Sequence, residues 1–237
     1  IAYVVITIFM ALSGYFFYSG LAWFSLASFQ TLRNPYQSAS LNLTDMVLFP
    51  LFSNIGIILL LIMTLLTMRL FSEEKKSGTI ELLLTYPIKD GEALLGKFLA
   101  CLVVYVIMLV LSFLYPLLMI MYGHLEWGPL LSGYLGLLLM GSAYISLGIL
   151  ASSLTENQIV SAVLSFGALL FFWVIGWVSE FAGKTVGKIL PKLSLIQHFD
   201  NFPKGIIDTQ DLVFYLLFIL FFLFLTLRSL EAHRWRG

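Results

Sequence analysis

Six long stretches without a charged side chain divide this chain of 237 residues. A helix needs about 20 residues to cross the apolar core of a bilayer, and each stretch reaches or approaches that length. We therefore predict six membrane-spanning helices. They cover residues 1–24, 46–68, 98–122, 129–153, 158–179 and 212–228.

The composition agrees with a membrane protein and excludes one class of partner. The chain is 60% hydrophobic and only 11% charged, which leaves too few charged groups to coat a soluble globule. Its 13 basic residues balance its 13 acidic residues, so no positive surface for nucleic acid is indicated. The fold class that follows is an all-α membrane protein. The sequence opens at Ile1 inside an apolar run, and we expect the natural chain to begin earlier.

Six crossings place both termini on one side of the membrane, together with the loop 69–97. More lysines and arginines lie on that side than on the other, which predicts that it is cytoplasmic. The residues on that side are Arg69, Lys75, Lys76, Lys89, Lys97, Arg228, Arg234 and Arg236, against Arg33, Lys184, Lys188, Lys192 and Lys204 opposite.

The sequence lacks the residues that several kinds of catalysis and transport require. The chain has no phosphate-binding loop of the G-x-x-x-x-G-K-[ST] type and no H-E-x-x-H metal motif. Ser142 follows Gly141, but no span supplies a histidine base, which disfavours an intramembrane hydrolase. No charged residue falls near the middle of a span, which disfavours an ion-coupled pump. We therefore expect no catalytic residue, no metal and no cofactor in this chain. We also expect that whatever energy source drives its function acts through a water-exposed loop.

The loop 69–97 predicts a short amphipathic helix between Gly78 and Pro87. Gly78 interrupts the preceding charged helix, Thr79 can cap a new one, and Pro87 disfavours helical geometry at the residue before it. Helical spacing places Thr79, Leu82, Leu83 and Tyr86 on one face. One interpretation is a helix lying on lipid headgroups. The acidic surplus of the loop favours a groove on a protein partner instead, because anionic lipid would repel it.

The segment 181–211 on the opposite side is too apolar to remain in water. Pro191 and Pro203 divide it into short pieces, and we predict that it folds onto the membrane surface. Its apolar residues are Phe181, Ile189, Leu190, Leu193, Leu195, Ile196, Phe199 and Phe202.

The string from Glu73 to Pro87 closely resembles the first cytoplasmic loop of ABC-2 type transporter permeases. Gly96-Lys97-Phe98, the segment from Ser152 to Gln158, Gly205-Ile206-Ile207-Asp208 and the tail from Leu230 to Arg236 are similar to that family too. The six-span bacterial permeases of the gliding-motility and copper-processing type are the most similar branch. The resemblance implies an ABC-2, or type V exporter-like, fold with a cytoplasmic coupling helix.

The resemblance also implies partners and sites. It implies a permease in the bacterial inner membrane, paired with an identical or homologous permease and with two cytoplasmic ATPase subunits that bind ATP and Mg. Accessory periplasmic or membrane proteins are a further expected class of partner. The residues implied in ATPase coupling are Glu73, Glu74, Gly78, Thr79, Glu81, Leu82, Leu83, Leu84, Tyr86 and Pro87, with Thr155, Glu156, Asn157 and Gln158 in the second cytoplasmic loop.

Two questions remain open at the level of sequence. The chain is either an exporter subunit or part of an ATPase-driven structural complex that transmits force and moves no substrate. Small residues such as Gly133, Gly136 and Gly141 either line a substrate path or allow close helix packing, and we favour packing. We expect spans 1 and 5 to contact the second permease, with Gly14, Gly167 and Gly176 allowing close approach or serving packing within one chain.

Overall fold

The structure is a computed structural model that describes residues 2–33, 43–79, 89–120, 126–178 and 190–234. Within these ranges all regular structure is helical. Six segments there are long and apolar enough to cross a membrane, which confirms the predicted all-α, six-span fold. They are Tyr3–Gln30, Thr44–Lys76, Asp90–Met119, Trp127–Leu154, Gln158–Trp177 and Thr209–Ala232.

The α-helices of the described residues are numbered in chain order. They are α1 (Ala2–Arg33), α2 (Phe49–Thr67), α3 (Ser72–Lys76), α4 (Asp90–Ser112), α5 (Leu114–Ile120), α6 (Trp127–Leu154), α7 (Gln158–Val178), α8 (Leu195–Phe199) and α9 (Thr209–Arg234). A π-helical turn, Thr44–Leu48, leads into α2, and 3₁₀ turns at Leu190–Leu193 and Phe202–Lys204 flank α8. We call the end of the bundle that carries α3 the α3 end, and the opposite end the α8 end.

Three helices continue beyond the spans predicted for them. Helix α9 covers Thr209–Arg234, where the prediction was 212–228. Helix α1 continues to Arg33, because its sequence holds no proline that would interrupt the helical hydrogen bonds. Helix α4 begins at Asp90 and not near residue 98. Asp90 and Glu92 lie in its first turn, where carboxylates interact favourably with the positive end of the helix dipole.

Helix α6 is the centre of the bundle. In its apolar window 78% of the residues are buried, compared with 22% in α1 and in α9. It packs against α2, α4, α7, α9 and the 3₁₀ turn at Phe202. The peripheral helices expose large apolar side chains such as Val163 on α7 and Leu220 on α9, as helices that face lipid must.

Four glycines allow large side chains from the surrounding elements to lie directly on the α6 backbone. A Cβ atom at Gly133 would collide with the Phe52 ring of α2, and one at Gly141 with the Tyr105 ring of α4. One at Gly136 would come within 2.7 Å of Phe202 Cβ, and one at Gly148 would collide with Thr67 Oγ1. These glycines therefore serve helix packing, which is the interpretation that the sequence favoured for Gly133, Gly136 and Gly141.

The described part of the outer segment, residues 190–205, is called the α8 segment below. Leu195, Phe199 and Phe202 are fully buried there, and α8 packs against α6, α7 and α9. The sequence predicted a membrane surface as the cover for these side chains. These three side chains are covered by protein in the structure, and Phe202 lies where Gly136 leaves room on α6. Leu193 of the same segment is exposed. Phe181 and Ile189 lie outside the described residues.

Replacing Gly141 with alanine should destabilise the bundle by about 1–3 kcal/mol, because the added methyl group overpacks the contact with Tyr105. The Tyr105 ring has little freedom to withdraw, since its hydroxyl donates to the Leu137 carbonyl of α6. Thermal unfolding in detergent would measure the change as a lower Tm.

The matched control is Gly96→Ala on α4, where a Cβ atom has nothing within 4 Å. Alanine favours a helix over glycine by about 1 kcal/mol, so this variant should unfold at an equal or higher temperature. Equal Tm values for the Gly141→Ala variant and the unaltered protein would contradict the packing role of Gly141.

Candidate coupling site

A compact polar surface is built at the α3 end, where α2 gives way to α3. Helix α3 holds Glu73, Glu74, Lys75 and Lys76 within a single short element. Helix α3 packs against α6 and α7. The first part of the loop 69–97 therefore contacts the central helix of the bundle.

Ser152, in the last turn of α6, fixes the backbone at the start of α3. Its Oγ atom accepts hydrogen bonds from the backbone N–H groups of Phe71 and Ser72 at 3.0 and 3.1 Å. The same hydroxyl donates to the Met68 carbonyl at 3.2 Å. The first N–H groups of a helix have no acceptor within the helix itself. The fully buried hydroxyl of Ser152 is that acceptor for α3, and it belongs to another span.

Lys97 joins α4 to the same turn. Its Nζ atom donates to Glu74 Oε1 at 2.5 Å and to the Leu70 carbonyl at 2.5 Å. It also lies 4.7 Å from the centroid of the buried Phe71 ring, a distance at which the ring face attracts a cation. Lys97 therefore holds both the charged side chain and the backbone that precede the predicted coupling helix.

Lys75 connects α3 to the C-terminal end of α6. Its Nζ atom donates to the Ser153 carbonyl at 2.5 Å, and it interacts electrostatically with Glu156 in the next loop. The last carbonyl groups of a helix carry partial negative charge, which favours a cation there. Lys75 thus brings the first and the second loop of this end together.

The second loop is short and well capped. Helix α6 ends at Leu154, and Thr155 is extended. The Thr155 Oγ1 atom accepts from the Asn157 N–H at 3.2 Å, and Asn157 Oδ1 accepts from the Ile159 N–H at 2.9 Å. Asn157 therefore caps α7, which begins at Gln158, and Glu156 is exposed beside it.

Some of the coupling residues expected from the sequence lie within the ranges that the structure describes, and the others lie outside them. Glu73, Gly78 and Thr79 are exposed, whereas Glu74 is already paired with Lys97 within the chain. Gly78 has a φ of +73°, a left-handed geometry that glycine adopts without steric cost. The Thr79 hydroxyl lies 2.8 Å from that of Ser77. The remaining residues lie outside the described ranges: Glu81, Leu82, Leu83, Leu84, Tyr86 and Pro87.

Sequence reasoning did not assign a role to the residues that anchor this surface. Ser152, Ser153 and Lys97 fell within strings that resemble the family, but their contacts join residues about 25 to 85 positions apart, which no local pattern shows. Within the described ranges, no group of three or more His, Cys, Asp or Glu residues is placed to hold a metal ion.

Replacing Ser152 with alanine should loosen α3 from α6, because it leaves two backbone N–H groups without their acceptor. The expected cost is about 1–3 kcal/mol, the usual range for an unsatisfied buried group. Hydrogen exchange at Phe71 and Ser72 would report it as faster exchange at these two amides.

Ser153→Ala is the matched control for this substitution. The Ser153 hydroxyl donates only within its own helix, to the Leu150 carbonyl at 2.8 Å, so its loss should leave exchange at α3 unchanged. Equal protection at Phe71 and Ser72 in both variants would show that Ser152 does not hold α3.

One comparison with known proteins identifies the type of chain. A family model described as ABC-2 family transporter protein matches residues 25–228. That match spans five of the six apolar helices almost completely and includes α3 and the second loop. No curated protein matches the chain.

Proposed function

The chain belongs to the ABC-2 transporter family, and on that premise we propose that it is the permease half of an ATP-driven exporter. Family membership makes it the membrane-spanning component of an ABC transporter. The proposal adds that separate ATPase subunits, which themselves bind ATP and Mg, dock at the α3 end and drive export.

The observation that carries the proposal is the attachment of α3 to two spans at once. Ser152 binds the backbone of α3 to α6, and Lys97 binds Glu74 to α4. A short helix held in this way cannot shift without pulling on the spans. A partner that moves α3 would therefore move the central helix, which is what coupling of ATP hydrolysis to a permease requires.

The docking surface that we propose consists of Glu73, Gly78, Thr79 and Glu156 together with the segment 80–88. The first four are exposed at the α3 end. Residues 79–86 are the part whose sequence resembles the family's coupling helix. Helical spacing would place Leu82, Leu83 and Tyr86 on one apolar face of such a helix. Basic groups on the ATPase subunit would face Glu73 and Glu81.

We further propose that the α3 end lies in the cytoplasm of a bacterium and that the protein resides in the inner membrane. The support is the distribution of basic residues, since Arg69, Lys75, Lys76 and Lys97 all belong to the α3 end. Both termini would then be cytoplasmic, because six spans return the chain to its starting side.

A photo-crosslinker attached to a cysteine at position 76 should form an adduct with an ATPase subunit in the assembled complex. Lys76 is exposed on α3, and the one native cysteine, Cys101, is buried, so a thiol reagent will label the Lys76→Cys site selectively. Mass spectrometry of the digested adduct would identify the partner as an ATPase, because its peptides would include a phosphate-binding loop.

Lys204→Cys at the α8 end is the matched control, since Lys204 is also exposed and should not crosslink to an ATPase. Crosslinking from position 204 and none from position 76 would contradict docking at the α3 end. Transport of material into or out of vesicles by the complex would separate an exporter from a complex that only transmits force.

We also propose that two permease chains and two ATPase chains form the functional unit. Of the three glycines considered for the permease contact, Gly14 is covered by Tyr115 and Gly176 by Ser194 within the chain. A Cβ atom at Gly167 on α7 would have nothing within 4 Å, and Gly167 lies in an open groove of 380 Å³ on the surface of that helix. Span 5 is thus the better supported contact.

Gly167→Trp should lower the fraction of permease dimers, because a bulky side chain keeps two α7 helices apart. Ile107→Trp, at an exposed site on α4, controls for the added surface and should leave the dimer intact. Intact mass measurement in mild detergent would count the chains. A lone permease with full ATP-dependent activity would contradict the assembly.

A further inference from the structure

A buried polar cluster lies where α8 meets the first turn of α9. His198 and Asp211 are only 7% and 5% exposed, and His198 Nδ1 lies 2.6 Å from Asp211 Oδ1. The Asn201 side chain donates to the other carboxylate oxygen, Asp211 Oδ2, at 3.0 Å. Both oxygens of this carboxylate are therefore bound by side chains of the α8 segment.

The second ring nitrogen of His198 also faces an acceptor. His198 Nε2 lies 3.1 Å from the Lys192 carbonyl oxygen, and a carbonyl can only accept. A neutral imidazole carries one N–H group and could donate to only one of the two oxygens, whereas an imidazolium donates to both.

We propose that His198 is a doubly protonated imidazolium whose ion pair with Asp211 fastens the α8 segment to α9, and that loss of this proton loosens the segment. The α8 end of the bundle is then closed by a hydrogen bond from each ring nitrogen, and one of these two bonds is lost with the proton.

The surroundings of the pair favour its charged form. The His198 ring stacks on Phe214 with centroids 3.9 Å apart and planes 18° apart, and an aromatic face attracts a cation. Asp211 lies in the first turn of α9, where the helix dipole stabilises a carboxylate. Removing one partner of a buried ion pair is costly because the other charge is left without compensation.

Four other titratable side chains surround this cluster. Asp200 and Lys204 belong to the α8 segment, and burial raises the pKa of Asp200 while the Lys204 charge opposes that rise. Tyr215 of α9 lies near Asp211, Asp200 and Tyr144 of α6, and its hydroxyl donates to the Leu195 carbonyl at 2.7 Å. Asp211→Asn leaves Asp200 in place, so a dependence on pH that disappears in that variant belongs to the His198–Asp211 pair and not to Asp200.

The segment has two other attachments that do not involve the His198 proton. One is the bond from the Tyr215 hydroxyl to the Leu195 carbonyl, and the other lies at Phe202. Ser132 of α6 donates to the Phe202 carbonyl at 2.6 Å, and Phe202 packs on Gly136. Loss of the His198 proton should therefore loosen residues 196–200 and leave Leu195 and Phe202 in place. The change is local and does not require the bundle to unfold.

The direct test is nitrogen NMR of histidine-labelled protein at pH 7. The chain has three histidines, and the substitutions His124→Gln and His233→Gln leave the His198 resonances alone in the spectrum. We expect both ring nitrogens to be protonated. A neutral ring with a single N–H group at this pH would overturn the proposal.

Hydrogen exchange tests the mechanical consequence. After correction for intrinsic rates, protection of residues 196–200 should fall at least about tenfold between pH 6 and pH 9, the change expected when a hydrogen bond to a charged group is lost. Asp211→Asn should abolish that dependence on pH. Asp208→Asn should retain it, because Asp208 caps α9 through the Gln210 N–H at 3.0 Å and asparagine caps equally well.

Each outcome of the exchange experiment has one meaning. Protection that falls with pH in the unaltered protein and in Asp208→Asn, but not in Asp211→Asn, supports the ion-pair closure. Corrected protection that is constant from pH 6 to pH 9 in the unaltered protein, or an equal fall in Asp211→Asn, would overturn it.

Discussion

The close approach of side chains from α2 and α4 to the backbone of α6 determines where these two spans lie. Lipid tails are as apolar as leucine, so helices in a membrane associate through packing and hydrogen bonds rather than through the exclusion of water. The glycines at 133, 141 and 148 receive Phe52, Tyr105 and Thr67. These contacts set where α2 and α4 lie, and they leave α6 as the element that the neighbouring spans share.

Helix α6 also joins the two ends of the molecule. At the α3 end its last turn holds the backbone of α3 through Ser152, and near its start Gly136 and Ser132 hold Phe202 of the α8 segment. Under the proposed function, a displacement of α3 by an ATPase subunit acts on a helix that reaches the opposite end. The structure thus supplies a continuous, packed connection between the α3 end and the α8 segment.

The six spans could be predicted because charged residues interrupt the apolar sequence only near the ends of the helices. The exact ends could not, since α4 begins among charges at Asp90 that also suit a loop. The anchoring contacts were not predictable at all. Ser152 meets α3, and His198 meets Asp211, only after the chain has folded, and the local sequence around each residue is compatible with a solvated loop or an ordinary helix end.

If coupling works as proposed, α3 and the end of α6 move as one body during ATP hydrolysis. Spin labels on Lys76→Cys and Leu154→Cys, both exposed positions, would report the distance between these elements in the assembled complex with and without ATP. We expect an unchanged distance between the labels in the two states. A clear shift in that distance on addition of ATP would contradict the coupling proposal, because α3 would then pivot independently of the helix to which it is bound.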